Sequence, residues 1–485
     1  MTLVRSVAEF ENEIRAKIDQ GDLDAALRRI RRVVDQIYSE PINTARIFGS
    51  KLLDELCQRI GAANWCGVQQ EASRKPNVGK YADQPKTVVY VASRLYASGG
   101  HTAALADVIR LSPAARSVIL VTGVAGATDH SAIQRRFESI SNVCFEYAPR
   151  GSHAEKLSWL QKRLMALSPE SVWLFNHYHD SVAVAAVQPN AGYRLRYYHH
   201  GDHHLCLGVY LSYAEHVDMH PMGYHNCREK LGIKGNSYLP LVAKDLGTRP
   251  AAMSYLSGPG LTTCTAAGSD KLEMPYPIRY VDVVPELLRT SRGKHIHIGR
   301  LTPFALRRIR RGLRRLGIPR SAFVHIPYVP SVWKALHEHR VDLYVTSFPY
   351  GGARTLVEVM GAGVPFALHV HHSSRLLCTY DMAHEEALKW RSPQDLYKIV
   401  LSIDAEELQR QGILARRGYE EHFREEMLAE ALNAKSRAIQ APPLHYGYVS
   451  DDFQEAIDIS NQVSCVGALW RYFKRVHQQW KSTVA

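Results

Sequence analysis

The segment Ser347–Pro365, SFPYGGARTLVEVMGAGVP, places two glycines, a cation, a hydroxyl group and one carboxylate around the predicted start of a helix. Gly351 and Gly352 remove side chains from that start, which predicts backbone N–H groups available to phosphate oxygens. Glu358 follows just over one helical turn later, where a carboxylate can accept two hydrogen bonds from a ribose diol. A phosphate at the turn and a ribose at the acid together describe a nucleoside diphosphate.

Two further cations stand where other predicted strands of the same half end. Lys271 closes the run TAAGSDK and Arg300 closes HIGR. A single lysine or arginine is more often an ordinary surface cation, but three such features at three strand ends favour one shared anion site. The predicted donor-binding residues are Ser269, Lys271, Arg300, Gly351, Gly352, Arg354, Thr355 and Glu358.

Histidines are concentrated after two predicted strands of the first half. They lie in NHYHD (Asn176–Asp180) and in YYHHGDHHLCLG (Tyr197–Gly208). Histidine titrates near neutrality, and a neighbouring aspartate can orient it and stabilise its charged form, as a general base requires. The first candidate base is His200 with Asp202 and His203, the second group is His177, His179 and Asp180, and the third candidate is His101.

The segment Ser98–Thr102, SGGHT, is a glycine loop that opens a predicted helix. Glycine lets a ligand approach the backbone, and a helix start favours an anion. The loop is not GxGxxG and no acidic residue follows at the spacing of NAD-binding domains, so it matches a nicotinamide site poorly. The predicted acceptor or phosphate loop consists of Gly99, Gly100, His101 and Thr102.

The elements that must position these residues follow a regular alternation. Short β-rich runs such as TVVYVA, SVILVTG and VWLFN alternate with predicted helices from Thr87 to about Val242. A second series runs from LTTCTA through HIHIG and VDLYVTS to PFALHV. Strands that alternate with helices predict parallel sheets covered on both faces, and ligands of such sheets bind beyond the carboxyl ends of the strands.

The predicted fold class is therefore α/β, with two doubly wound domains facing each other across a cleft, preceded by a small all-α module. The predicted boundaries are 1–80 for the helical module, 86–245 for the first α/β domain, 255–440 for the second, and 441–485 for C-terminal helices that pack back across the domains. Ser73–Lys86 is predicted to be a linker.

The composition is that of a globular protein. The 485 residues are 46% hydrophobic and 22% charged, the eight cysteines form no CxxC pair, and the start lacks the apolar region of a signal peptide. Neither a disulfide framework nor a zinc finger is predicted. With no apolar run long enough for a membrane span, we expect a cytoplasmic protein.

The formal net charge of +13 indicates an anionic partner or a solvated basic surface. Arginines cluster in RRIRR (Arg28–Arg32) and in LRRIRRGLRRLGIPR (Leu306–Arg320), and the C-terminal LWRYFKRVHQQW (Leu469–Trp480) is basic and aromatic. No nucleic-acid module accompanies them, so we expect no nucleic-acid partner. Peripheral contact with the inner face of a membrane stays open, against the alternative that these are ordinary packed helices.

The chain from about Thr87 onward resembles the GT-B glycosyltransferases, in which two Rossmann-like domains hold a nucleotide sugar. HIHIGRLT, the quoted 347–365 segment and the helices after Trp390 carry the resemblance. Retaining members have two glutamates separated by seven residues, whereas here Tyr350 stands at the first position and Glu358 at the second. SFPYGG followed by Glu358 is more similar to the inverting branch of O-GlcNAc transferases and cytoplasmic N-glycosyltransferases, and YYHHGDHHLCLG is similar to NHADHxFWLG of related bacterial enzymes.

This resemblance implies a transferase that moves a sugar from a nucleoside diphosphate sugar, a UDP-sugar first, to a protein, lipid-linked glycan or polysaccharide acceptor, with inversion. Lys271 and Arg300 would neutralise the leaving diphosphate, the 351–355 turn would bind it, and Glu358 would hold the ribose. Such enzymes generally replace a metal by cations and helix dipoles. We therefore predict no catalytic metal and no cofactor beyond the co-substrate, although HxH and HH spacings can also ligate zinc or iron.

Two other functions stay open. A nucleotide-sugar epimerase or hydrolase of the same fold would release the nucleoside diphosphate without an acceptor. A polyanion-binding protein that uses the arginine helices would bind with a steep salt dependence and would not need Glu358.

Overall fold

The computed structural model divides the chain into two compact units. Unit 1 covers Met1–Leu239 and Ala431–Ala485, and unit 2 covers Pro240–Glu430. The residues that the structure describes are 6–40, 43–44, 46–74, 86–96, 99–112, 116–126, 130–250, 253–274, 276–371, 375–433, 439, 441–443 and 453–461. The basic Leu469–Trp480 segment and most of the predicted linker lie outside the described residues.

Unit 1 is a parallel sheet in which most consecutive strands are separated along the chain by a helix. Its described helices are α1 (Val7–Asp19), α2 (Leu23–Tyr38), α3 (Lys51–Arg74), α4 (Gly100–Leu111), α5 (His130–Phe137), α6 (His153–Leu167), α7 (Ser181–Ala186), α8 (Pro221–Glu229) and α17 (Phe453–Asn461). Its strands are β1 (Thr87–Ala92), β2 (Arg116–Val121), β3 (Val143–Tyr147), β4 (Ser171–Phe175), β5 (Arg194–His199), β6 (Ala214–Asp218) and β7 (Ser237–Tyr238).

The strand order of unit 1 is β3-β2-β1-β4-β5-β6-β7, and every pairing is parallel. The central strands are runs of β-branched and aromatic residues such as TVVYVA, which are buried on both faces. Such runs are what a sheet covered by helices on both sides requires. Because the order reverses between β1 and β4, the ends of β1, β4 and β5 lie side by side.

The N-terminal helices are built into unit 1. Asp54 of α3 is buried, and its carboxylate accepts the backbone N–H groups of Gly208 at 2.7 Å and Tyr210 at 2.8 Å. Gly61 has no room for a side chain, since a Cβ atom there would lie 1.7 Å from the carbonyl oxygen of Ala185. The helical module thus shares its packing with the first sheet.

The chain returns to unit 1 after unit 2, and α17 packs on the N-terminal helices. The Asn43 amide donates to the carbonyl oxygen of Ala456 at 3.1 Å and to the Ser460 hydroxyl at 2.9 Å. The rings of Phe10 and Phe453 meet edge to face at 6.5 Å. Among the described residues no helix is both long enough and apolar enough to cross a membrane.

Unit 2 repeats the same architecture with a second parallel sheet. Its helices are α9 (Ser269–Leu272), α10 (Tyr280–Ser291), α11 (Pro303–Arg315), α12 (Val332–Glu338), α13 (Ala353–Gly361), α14 (Pro393–Ser402), α15 (Ala405–His422) and α16 (Glu425–Asn433), which contains the point where the chain leaves the unit. Its strands are β8 (Thr263–Ala266), β9 (His295–Ile298), β10 (Phe323–Ile326), β11 (Leu343–Val345), β12 (Phe366–His369) and β13 (Leu388–Trp390), in the order β10-β9-β8-β11-β12-β13. The predicted α/β fold class with two doubly wound units is confirmed.

A buried polar network crosses the sheet of unit 2. The Tyr280 hydroxyl lies 2.8 Å from Nε2 of His295 and 2.7 Å from Nδ1 of His297, and Nδ1 of His295 lies 2.8 Å from the Thr263 hydroxyl. Burial lowers the pKa of each of the two histidines to about 3. Both imidazoles are therefore neutral at neutral pH, and protonating either of them opposes folding.

Unit 2 is expected to lose stability as the pH falls from about 6.5 toward about 3. In that window the unfolded state binds protons at His295 and His297 that the folded state refuses, so the free energy of unfolding decreases with decreasing pH. His297→Gln should flatten this dependence between pH 6.5 and 4.5. His339→Gln, which changes an exposed histidine after α12, should leave it as in the unsubstituted protein. Hydrogen exchange of β9 peptides measures the effect, and equal slopes in all three proteins would contradict it.

Candidate functional site

The start of α13 and the segment after β8 come together in unit 2. The ammonium group of Lys271 donates to the carbonyl oxygen of Gly351 at 2.7 Å. It lies next to the first residue before α13, since a Cβ atom on Gly352 would be 3.7 Å from Nζ of Lys271. β8 and β11 are hydrogen-bonded neighbours, which is why residues that follow them meet. The structure thus brings Lys271 and the glycine turn together.

The surroundings of Lys271 favour an anionic neighbour. Burial lowers the pKa of its ammonium group, and the carboxylate of Asp270 opposes that effect. Gly352 precedes α13 as its N-cap residue and provides no side-chain cap. An anion placed here would be stabilised by Lys271 and by the positive end of the helix dipole.

The two glycines of the turn have different reasons to be glycine. The N–H of Gly351 donates to the carbonyl oxygen of Leu377 at 2.8 Å, so the prediction that it is available to phosphate is wrong. A Cβ atom on Gly351 would lie 2.9 Å from the carbonyl carbon of Cys378, so close backbone packing is what requires glycine at this position. The N–H of Gly352 donates to no atom within the part of the chain that the structure describes. Only this second glycine presents the predicted donor.

Arg300 is brought to the same edge of the sheet by its backbone. The N–H of Ser269 donates to the carbonyl oxygen of Arg300 at 2.9 Å. Gly299, with φ at +124°, permits this approach, because a Cβ atom there would lie 2.2 Å from the carbonyl oxygen of Ala267. The Arg300 side chain is exposed and makes no ion pair with any described residue. Its backbone position is therefore fixed while its guanidinium is open to solvent.

Glu358 has a structural partner that sequence reasoning missed. Its Oε2 atom accepts the N–H of Trp333 at 3.0 Å and lies 3.3 Å from the hydroxyl of Ser331. Ser331 caps α12, a helix with no acidic residue in its own first turn, and Glu358 supplies the negative charge there. The lack of an acidic residue in the first turn of α12 is the sequence feature from which this contact could have been predicted. One carboxylate oxygen is thus engaged before any ribose could bind.

The last two predicted donor residues follow the turn. Thr355 lies over Gly352, where an added Cβ atom would be 3.3 Å from the threonine hydroxyl oxygen. Arg354 is partly buried at the first turn of α13. Both residues belong to the same helix start as Gly352, as the sequence pattern predicts.

In unit 1 the three candidate histidine groups meet. The ring of His101 lies 4.8 Å from that of His177 and 4.4 Å from that of His200, measured between ring centres. These residues follow β1, β4 and β5, which are adjacent in the sheet. Burial lowers the pKa of His101 to about 4 and lowers the pKa values of the other two further below the ordinary range. Each ring is therefore neutral at neutral pH.

Asp202 does not pair with His200. Its Oδ2 atom lies 2.6 Å from Nδ1 of His220, and its Oδ1 atom lies 3.5 Å from Nδ1 of His203. Burial opposes ionisation of this carboxyl group, but the two histidines hold its pKa below the usual range. His220 is the residue before α8, and its place at the end of HVDMH, after a predicted strand, is the signal that could have identified it.

The second predicted group separates into two contacts. Nδ1 of His179 lies 2.8 Å from the carboxylate of Asp35 on α2. Asp180 is fully buried and accepts the Thr122 hydroxyl at 2.6 Å and the N–H of Ala183 at 2.9 Å. Asp180 therefore caps α7, and the aspartate that orients His179 comes from the N-terminal helices.

The glycine loop before α4 supplies a backbone turn as well as the histidine. Gly99 precedes the helix with φ at +143° and no side-chain cap. The Thr102 hydroxyl accepts the N–H of Tyr96 at 2.9 Å. Gly100 and His101 form the first turn of α4, with His101 buried beside the other histidines. The catalytic and binding roles of all these residues stay predictions.

Comparison with solved structures identifies the fold. HepE from Anabaena, in complex with UDP and glucose, superposes with a TM-score of 0.53 at 12% identity, over 72% of this chain and 98% of HepE. WaaB, a lipopolysaccharide outer core galactosyltransferase, superposes with a TM-score of 0.50 at 13% identity, over 71% of this chain and 99% of WaaB. No protein-family model and no curated protein sequence matches the chain. The two parallel sheets with their flanking helices are the GT-B fold.

An O-GlcNAc transferase mutant from Thermobaculum terrenum aligns over 100% of both chains at 13% identity, with a TM-score of 0.44. The GT-B resemblance drawn from the motifs is confirmed, and the inverting branch stays a prediction.

Removing the Glu358 carboxylate is expected to destabilise unit 2, because α12 loses the acceptor at its first turn. Glu358→Ala should lower the free energy of unfolding by about 1 kcal/mol, the usual effect of a lost helix cap. Glu358→Gln should retain most of it, since an amide oxygen can still accept the N–H of Trp333. Glu338→Ala, at the exposed end of α12, is the matched control. Equal urea midpoints for the three variants would contradict the assigned contact.

Proposed function

We propose that the chain is a glycosyltransferase that transfers a sugar from a nucleoside diphosphate sugar, with a UDP-sugar as the first candidate. The observation that carries this proposal is the contact of Lys271 with the glycine turn at the start of α13, within a GT-B unit. The complex of HepE with UDP supports the choice of uridine as the nucleoside of the donor. The acceptor would be a hydroxyl or amide group of a protein, a lipid-linked glycan or a polysaccharide.

The donor half of the reaction follows from charge. When the bond between the anomeric carbon and the diphosphate oxygen breaks, negative charge develops on the leaving diphosphate. Lys271, the N–H of Gly352 and the dipole of α13 would stabilise that charge, and the open guanidinium of Arg300 would add a second cation. These groups would take the place that a divalent cation holds in other transferases, which makes metal-independent transfer the proposed mechanism.

The acceptor half needs one base. Inversion is a single displacement in which a base removes the proton from the attacking hydroxyl or amide as the donor bond breaks. We place this base among the clustered histidines of unit 1. His200 remains the first candidate because it is partly buried, neutral, and in contact with His101.

Lys271→Ala is expected to weaken UDP binding by more than about tenfold, because a hydrogen bond from a charged donor contributes about 1.5–3 kcal/mol. Lys294→Ala, at an exposed position just before β9, should bind UDP as the unsubstituted protein does. Isothermal titration with UDP measures both. Unchanged UDP affinity and unchanged donor turnover in Lys271→Ala would overturn the proposed donor site.

A thermal-shift screen of UDP, GDP, ADP, CMP and dTDP sugars tests the choice of donor. A ligand that binds only the native state raises its melting temperature with concentration, and we expect the largest rise with a UDP-sugar. A larger rise with another base would move the assignment to that donor. Rapid UDP release with no acceptor, undiminished by any acceptor tested, would favour the epimerase or hydrolase alternative.

The exposed face of α11 is the proposed contact for an anionic surface. Ala305, Ile309 and Leu313 bury one face of the helix, and Arg308 pairs with Asp282 at 3.1 Å. Within α11, the exposed arginines that pair with no described residue are Arg307, Arg310, Arg311, Arg314 and Arg315. By contrast, Arg28 and Arg29 of α2 are paired with Asp24 and Glu13.

Changing Arg310, Arg311 and Arg314 together to glutamate should weaken binding to phosphatidylglycerol vesicles by at least about 100-fold, at about 1 kcal/mol for each basic residue lost from the membrane surface. Binding to phosphatidylcholine vesicles and to UDP should be unaffected. Vesicle co-sedimentation at fixed ionic strength measures the change, and equal binding by both proteins would remove α11 as the contact.

A further inference from the structure

Four buried side chains in unit 1 form a cluster that the proposed transfer reaction does not use. They are His199, His216, Asp218 and Cys227, and each offers one ligand atom within 4.8 Å of the others. Imidazole, carboxylate and thiolate are all ligands of zinc in proteins.

The topology places these four residues together. β5 and β6 are parallel neighbours in which His199 stands opposite Asp218. His216 lies two residues before Asp218 on the same strand, and side chains two apart point to the same face. Cys227 comes from α8, which packs over that face and which the chain reaches immediately after β6. Three ligand positions are therefore fixed by strand register and the fourth by the following helix.

The distances between the ligand atoms suit a tetrahedral ion. Oδ1 of Asp218 lies 3.0 Å from Nδ1 of His199 and 3.2 Å from Nε2 of His216. Sγ of Cys227 lies 3.5 Å from both Nδ1 of His199 and Oδ1 of Asp218. Ligand bonds of about 2.0–2.3 Å at tetrahedral angles separate ligand atoms by about 3.3–3.7 Å. These four spacings are at or just below this range, and the other two distances between ligand atoms are within 4.8 Å.

The contacts of His216 also suit a metal ligand. Nδ1 of His216 lies 3.3 Å from the carbonyl oxygen of Val209, and a carbonyl oxygen can only accept a hydrogen bond. A metal-bound histidine usually donates its second ring nitrogen to such an acceptor. This contact would leave Nε2, which lies 3.2 Å from Oδ1 of Asp218, to face the ion.

The charges balance around such an ion. A carboxylate and a thiolate bring two negative charges, two neutral imidazoles bring none, and Zn²⁺ brings two positive charges. A neutral assembly is favourable in this position, because all four side chains are buried and an unbalanced charge among them is costly. The amide of Asn236 donates to the second oxygen of Asp218 at 2.7 Å and fixes the carboxylate.

We propose that His199, His216, Asp218 and Cys227 bind one zinc ion in a structural site. All four tetrahedral positions are taken by protein, so this ion has no open position for a substrate and is separate from the transfer chemistry. The soft thiolate and the buried tetrahedral set favour zinc over magnesium, calcium or manganese.

The site would hold the histidine-rich segment in place. Gly223 of α8 lies between two carboxylates and has no room for a side chain. A Cβ atom there would lie 2.6 Å from Oδ2 of Asp202 and 3.0 Å from Oδ1 of Asp218. His200 follows the ligand His199 directly in the chain. Zinc would thus fix the end of β5 to α8, and with it His200 and the Asp202–His220 pair.

The test uses the full-length protein without a histidine tag. Mass spectrometry of the purified protein should find about one zinc per chain. After the metal is removed with a chelator, titration with Co²⁺ should produce visible ligand-field bands and a thiolate-to-cobalt charge-transfer band at a ratio of about one to one. Zn²⁺ should abolish these bands and raise the melting temperature of the metal-free protein.

Cys227→Ser should lose the charge-transfer band and bind zinc more than about tenfold more weakly, whereas Cys66→Ser, at an exposed cysteine of α3, should retain both properties. If Cys227→Ser does not fold, the titration of the unsubstituted protein still decides the question. Absence of the thiolate band in that titration would overturn the proposal, and so would a bound metal whose amount and affinity are the same in both variants or a native metal other than zinc.

Discussion

Parallel strands end at one edge of a sheet, and this constraint gathers the candidate residues of both units. In unit 2, Lys271, Arg300 and the glycine turn follow three strands that are near one another in the sheet, so residues more than 70 positions apart along the chain share one edge. In unit 1, His101, His177 and His200 are collected in the same way. The candidate residues of the transfer reaction therefore lie in segments that follow strands, whereas the zinc ligands His199, His216 and Asp218 lie on the strands themselves.

Several of these residues connect packing to chemistry. Glu358 holds the start of α12 with one oxygen, and the backbone of Arg300 is tied to the segment that carries Lys271. Asp202 is paired with His220, so the carboxylate of the histidine-rich segment is held by the residue that precedes α8. Polar groups that are held by backbone contacts before a ligand arrives do not need to be ordered when it binds, which lowers the entropic cost of binding.

The sequence was sufficient for the fold and for some of the residues that lie close together. Runs such as TVVYVA and HIHIG predict buried parallel strands, and Gly352 and Lys271 are predicted at one site because both follow strands. The partners of individual side chains were not predictable, since Asp35 reaches His179 and Glu358 reaches Trp333 only through tertiary packing. Gly351 shows the same limit. Its N–H donates to the carbonyl oxygen of Leu377, and no local sequence pattern predicts that these two residues are close.

The integration of the N-terminal helices has a consequence for how this chain can be divided. Gln161 reaches across to the carbonyl oxygen of Gly61, and Ser181 to that of Leu27, while Asp54 satisfies two backbone N–H groups beside Gly208. A protein cut before β1 would expose these donors and the apolar faces beneath them. The helices are therefore an integral part of unit 1, and a fragment that begins at residue 86 is expected to be insoluble.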